Sequence, residues 1–361
     1  MEHSKDGCDP RENLGDRAGV PGEGLKRLAQ IALAAIGLAL IAALVRSAGP
    51  EKVARVLLAA AWWLPLIVVL EIAQMTSDVI VLRHLLGSRG PLVPASTWVR
   101  TSAISYAMMI LVPAGRAAGE VTRGALIARH TGASWAATAG AQLQAAYLFA
   151  NAMLSVAAFV AVASWWGAGS TLALLLAGNI VLMVLFSATI LAVLRGDRTG
   201  RWIEGLRQRF LGSRAASSPP LEPGMRRRLP WRAAGVCAVS RTVQVLQYGV
   251  ILAAVGGTPS VHGAFVAHGI HLVGSTLGDV LPNQLGAVDG AYRAFASAIG
   301  LSGDPARALS IAFVAHLTQL LCAAGCIVVA VVARRGESIN GAMAAPAPGE
   351  APASAGADAR S

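Results

Sequence analysis

Charge is scarce in this chain, and negative charge is scarcer still. Only 14% of its 361 residues are charged, and 19 Asp and Glu stand against 30 Lys and Arg. With 55% hydrophobic residues and mean hydropathy +0.58, so little charge excludes a soluble domain of this size and places the chain in a bilayer. Cysteine is also sparse: Cys8, Cys237, Cys322 and Cys326 are too few and too scattered for a disulfide framework or a paired zinc site. Cys322 and Cys326 share one face of an apolar helix, where helix packing is the expected role. No Walker A loop, nucleophile elbow or Rossmann fingerprint occurs, so no nucleotide-driven or acyl-transfer chemistry is visible and no cofactor is expected. His268, His271 and Asp279 fall on one helical side with His316 elsewhere, without the spacing of a zinc signature, and no metal is expected. Interior hydrogen bonding is the plain use of these histidines; proton-coupled transport is the functional alternative.

What is present is a series of apolar stretches near 28–45, 53–82, 98–113, 135–165, 170–194, 233–255, 264–281 and 307–333. About 20 apolar residues of helix cross a bilayer, and unpaired peptide groups cannot sit in lipid, so the expected fold is all-α, a polytopic helical membrane protein. Residues 1–27 and 334–361 read as disordered cytoplasmic tails around a membrane domain at 28–333. Between them the loop 195–232 carries ten arginines against Asp197, Glu204 and Glu222, which makes it cytoplasmic. Trp202, Leu206 and Phe210 recur there every four residues, as on a helix lying along an anionic leaflet; a merely solvated basic loop fits equally.

An internal repeat organises the rest. Gly87 and Gly256, Trp62 and Trp231, and Pro113 and Pro282 each lie 169 residues apart. A Gly-rich polar stretch with an acid at the seventh position follows each proline, giving two repeats at about 54–194 and 233–333. The link around Arg83, His84, Arg89 and Arg100 is basic, whereas its counterpart 256–263 carries no formal charge, so the repeats are expected to be inverted. Both termini are then cytoplasmic, in a bacterial inner membrane. Inverted repeats with Gly/Pro-broken segments at matching positions are a transporter plan, with the binding site near the midplane.

Candidate site residues follow from that plan. Arg116, Glu120 and Arg123 project from one side of a short helix, and Asp289 and Arg293 repeat the acid-then-base pairing. If Pro113 and Pro282 break helices at depth, with Gly119 and Gly286 shaping the turns, the result is two re-entrant-type hairpins whose polar tips meet. The three arginines against two acids leave +1, suited to an anionic headgroup. The same ion pairs could instead staple the hairpins or sit at the membrane surface. Glu71, Gln74 and Asp78 form a second polar stripe, matched by Arg241, Gln244 and Tyr248, so that Glu71 and Arg241 could pair across the halves or merely glue helices. On the long helices that follow, Tyr147 and His316 hold equivalent positions facing inward.

The stretches VPAGRAAGEVTRGALIARHTGAS and LPNQLGAVDGAYRAFASAIGLS resemble the flippase-like transmembrane region of lysylphosphatidylglycerol synthases and related stand-alone membrane proteins, over roughly 28–333. Pro113, Gly119, Glu120, Arg123 and Gly132 match the first family motif; Pro282, Gly286, Asp289 and Gly300 match the second. Asp289 stands where the family usually has Glu, and His316 where a basic residue, commonly Arg, is usual. The resemblance implies a translocase, not an enzyme, that moves an anionic, aminoacylated or lipid-linked headgroup, without the soluble aminoacyl-transferase domain. The alternative is a membrane-embedded transferase or accessory protein acting on polyprenyl- or hopanoid-type lipids. Its partners would be the lipid and possibly a lipid-modifying enzyme, with no nucleic acid.

Overall fold

The computed structural model describes residues 35, 38–112, 115–195, 231–279 and 281–343. The expected tail 1–27, residues 344–361 of the expected tail 334–361, Pro113 and nearly all of the basic loop lie outside the described residues, while 334–343 continue the last helix. Among those described there are eleven α-helices and no strand. They are α1 (Leu38–Ala48), α2 (Pro50–Ala60), α3 (Leu64–Leu85), α4 (Ala95–Leu111), α5 (Gly115–Thr131), α6 (Ala133–Trp166), α7 (Thr171–Arg195), α8 (Trp231–Ala254), α9 (Val261–Gly278), α10 (Ala287–Ala294) and α11 (Pro305–Met343).

Five stretches are long and apolar enough to cross a membrane: Pro50–Leu85, Ala133–Trp166, Thr171–Leu194, Trp231–Ala254 and Pro305–Ala333. The chain is therefore a multi-pass membrane protein. Of the eight apolar stretches in the sequence, those at 98–113 and 264–281 become the shorter helices α4 and α9, each packed against a short partner, α5 and α10.

Large apolar side chains point outward, among them Val181 (58% exposed), Leu185 (59%) and Val328 (63%), while Ala145, Ala146, Ala150 and Ala158 are fully buried. That is the reverse of a soluble core, and it follows from the solvent: lipid tails are as apolar as Leu, so small residues that let backbones approach hold the bundle together. Trp62 and Trp165 are exposed near helix ends, where amphipathic rings favour the interface.

The order α3–α4–α5–α6 recurs as α8–α9–α10–α11, with helix starts displaced by 166 to 172 residues. Both short arms end on a glycine of positive φ, Gly132 (90°) and Gly300 (72°), a backbone region that other residues enter at a steric cost. The two short segments differ. α5 is a continuous helix of 17 residues, whereas its counterpart is a 3-10 turn at Pro282–Gln284, the eight-residue α10 and a second 3-10 turn at Ala296–Ile299.

Candidate functional site

Polar side chains from seven helices, Tyr106 of α4 among them, and one turn close around a chamber of about 120 Å³. From α3 come Glu71, Gln74 and Asp78, one face at spacings of three and four. From α8 come Ser240, Arg241 and Gln244; from the first turns of α5, Arg116 and Glu120; from α6, Gln144 and Tyr147. His271 in the middle of α9, Asp279 at its end, Asn283 and Gln284 of the following turn, and Gln319 of α11 complete the wall.

Hydrogen bonds hold α3 against α8. Gln74 Nε2 donates to Gln247 Oε1 at 2.9 Å, and Gln247 Nε2 donates to Glu71 Oε2 at 2.8 Å and to the Ile67 carbonyl at 3.2 Å. Glu71 Oε1 accepts the Tyr106 hydroxyl at 2.7 Å. Of the two uses open to Glu71, the pair with Arg241 does not form; Tyr106 and Gln247 take its carboxylate oxygens, so that it joins helices. Arg241 instead lays its guanidinium 4.7 Å from the centre of the Tyr147 ring and donates to Gln244 Oε1 at 2.7 Å.

Arg123 is buried and bridges helices: its guanidinium lies 3.2 Å from Glu120 and 3.8 Å from Asp78 on α3. This cross-helix pair, 45 positions apart in sequence, had no signal beyond the presence of Asp78 on the polar stripe. Gly115 and Gly119, four apart on α5, permit the approach of α4. A Cβ on Gly119 would stand 2.6 Å from the Ser105 carbonyl oxygen, and one on Gly115 would collide with the Met109 carbonyl.

Against the α5–α6 face lies a second cavity of about 660 Å³, lined by Leu82, Leu86, Val121, Ile127 and a run of Ala and Gly. Arg116, Glu120, Gln144 and Asp279 belong to both walls. A polar chamber and an apolar groove thus share one edge.

The remaining expected residues lie elsewhere. Asp289 is fully buried; its Oδ2 accepts the Gly286 N–H at 2.8 Å and lies 3.3 Å from His316 Nε2. Neither Asp289 nor His316 lines the chamber. Arg293 does not pair with Asp289: it reaches α1, donating to the Leu44 carbonyl at 3.4 Å and to the Ser47 hydroxyl. A cation at a helix C-terminus satisfies carbonyls that have no intrahelical partner. Pro282 opens its 3-10 turn, and Gly286 holds φ 84° close against Leu40 of α1.

The charge balance changes accordingly. The chamber holds the carboxylates Glu71, Asp78, Glu120 and Asp279 against the guanidiniums Arg116 and Arg241, with Arg123 adjoining. Carboxylates are in excess, where the sequence suggested a surplus of +1, because Glu71, Asp78 and Asp279 join the wall with Arg241, while Arg293 and Asp289 leave it. Among the described residues no three His, Cys, Asp or Glu side chains gather to hold a metal ion.

A bundle of membrane-crossing helices that buries a charged chamber beside an apolar groove places the chain among the multi-pass membrane proteins. The chain belongs to the family of the lysylphosphatidylglycerol synthase TM region, whose profile matches residues 28–325. Its function is accordingly related to membrane lipid. No curated protein and no solved structure matches it.

Proposed function

We propose that the chain is a lipid translocase, carrying a headgroup through the polar chamber while the tails stay in the groove and the surrounding hydrocarbon. The observation that carries this reading is the shared edge of Arg116, Glu120, Gln144 and Asp279, because an amphiphile needs a polar and an apolar surface in contact. A headgroup crossing unaided loses its hydration at a cost of roughly several kcal/mol, and fixed ionic partners offset that loss. Arg116 and Arg241 are the groups to grip a phosphate, Arg as a planar fork. Asp78, Glu120 and Asp279 favour a cationic group beside it. The excess of carboxylates therefore supports a headgroup that joins an amine to its phosphate over a purely anionic one.

In this reading α4–α5 and α9–α10 are re-entrant hairpins of inverted repeats, dipping from opposite sides of an inner membrane with both termini in the cytoplasm. The lipid is moved and not altered. Vesicles of mixed composition containing the purified protein test this. The expected result is redistribution between leaflets of amine-bearing phospholipids, with every lipid mass unchanged by mass spectrometry. A chemically altered lipid would point to a transferase, and leaflet exchange no faster than in empty vesicles across the panel would sink the proposal.

A further inference from the structure

Behind the chamber wall lies a polar pair that the headgroup path does not use. Asp289 Oδ2 and His316 Nε2 are 3.3 Å apart, and Asp289 Oδ1 is buried with no hydrogen-bond partner. On its other side His316 Nδ1 is 3.2 Å from Asn283 Nδ2. An amide NH₂ can only donate, so Nδ1 accepts, and the proton of the neutral ring sits on Nε2, directed at Asp289. The chain of contacts Asn283 to His316 to Asp289 is therefore complete for a neutral imidazole.

One added proton changes it. Protonated at Nδ1, the ring presents a donor to a donor, and Asn283 must leave or turn its amide over. Asn283 and its neighbour Gln284 both line the chamber, and both hold left-handed backbone, φ 46° and 57°, which residues with a Cβ adopt only when their surroundings enforce it. The turn that receives the signal is thus held in place by contacts of this kind.

We propose that Asp289 and His316 form a proton-binding site, and that loading it resets the Asn283–Gln284 turn in the chamber wall and so couples lipid movement to a proton. The coupling rests on the translocase reading. The other ionisable groups on the elements around α11 are already engaged or distant. Glu71 and Tyr106 bond each other, Arg241 lies over Tyr147, and Arg293 is bound to α1. Lys52 and Arg55 of α2 line a separate cleft with Asp304 and Arg307 at the start of α11, and Cys322 and Cys326 pack with Tyr106 further along that helix. His271 of α9 lines the chamber, its ring centred 4.7 Å from that of Tyr248. Nδ1 is the one nitrogen of the neutral His316 ring left to take up a proton, so the site loads one proton.

The full chain in vesicles, with a fluorescent amine-bearing phospholipid and a gradient of one pH unit, tests this. One proton per lipid sustains a leaflet asymmetry of up to about tenfold, which a protonophore abolishes. His316→Gln and, as a second variant in case the first does not fold, Asp289→Asn bring that ratio to one. A wild-type protein that equalises the leaflets despite the gradient overturns the coupling, as does a variant that still accumulates lipid. Wild-type vesicles that move no lipid at all refute the translocase reading and the coupling with it. Histidine-labelled NMR then decides the proton site by itself. The Nδ1 signal missing from His316→Gln shifts on acidification if the site loads, and an unchanged signal contradicts it.

Discussion

The two short-helix hairpins are built from the same parts in the same order and use them differently. In α4–α5 the glycine pair sits on the second arm, where Gly115 and Gly119 meet the backbone of α4. In α9–α10 it sits on the first, where Gly274 and Gly278 receive Val288 and Ala287. The first hairpin turns Arg116 and Glu120 into the chamber; the second buries its acid against His316 and commits its arginine to α1. The same order of short helices thus carries a different assignment of charges in the two hairpins.

Variants can break or sharpen that contrast. The largest effect is expected from Gly119→Leu, which overpacks the α4–α5 contact and should lower stability by about 3 kcal/mol or prevent folding, read by thermal unfolding in detergent. Gly124→Ala on the same helix, where an added Cβ meets nothing within 4 Å, should be neutral or slightly stabilising. Arg123→Ala comes next, leaving Asp78 and Glu120 without their cation; a loss of about 2–3 kcal/mol is expected, below the fully buried case because both acids keep some solvent. Tyr106→Phe removes one hydrogen bond from the buried Glu71 and should cost about 1–2 kcal/mol. Smallest is Arg293→Ala, about 1 kcal/mol from the end of α1, with leaflet exchange retained. Were Arg293→Ala instead to abolish exchange in a folded protein, the division of labour between the hairpins would be wrong.

Much of the fold was legible because bilayer physics leaves few options. The apolar stretches gave the all-helical, multi-pass plan. The walls of the chamber were legible where they lay on one helix, as with Arg116 and Glu120, or Glu71, Gln74 and Asp78. It was opaque where partners came from distant elements. Nothing local to Arg293 signals that α1, which belongs to neither repeat, would claim it. The offset suggested Glu71 with Arg241, but the oxygens of Glu71 were taken by Tyr106 and by Gln247, one turn beyond Gln244. Asp279, placed with the histidines in the sequence, proved a wall residue of both cavities; an acid closing an otherwise apolar helix was the available signal.

The claim that a headgroup passes the edge shared by chamber and groove is tested most directly by leaflet exchange of a fluorescent amine-bearing phospholipid, wild type beside Arg116→Gln/Glu120→Gln. The wild type should exceed empty vesicles by at least about tenfold, a barrier difference of about 1.4 kcal/mol, and the folded double variant should fall back to the empty-vesicle rate. A double variant as fast as the wild type would contradict the account.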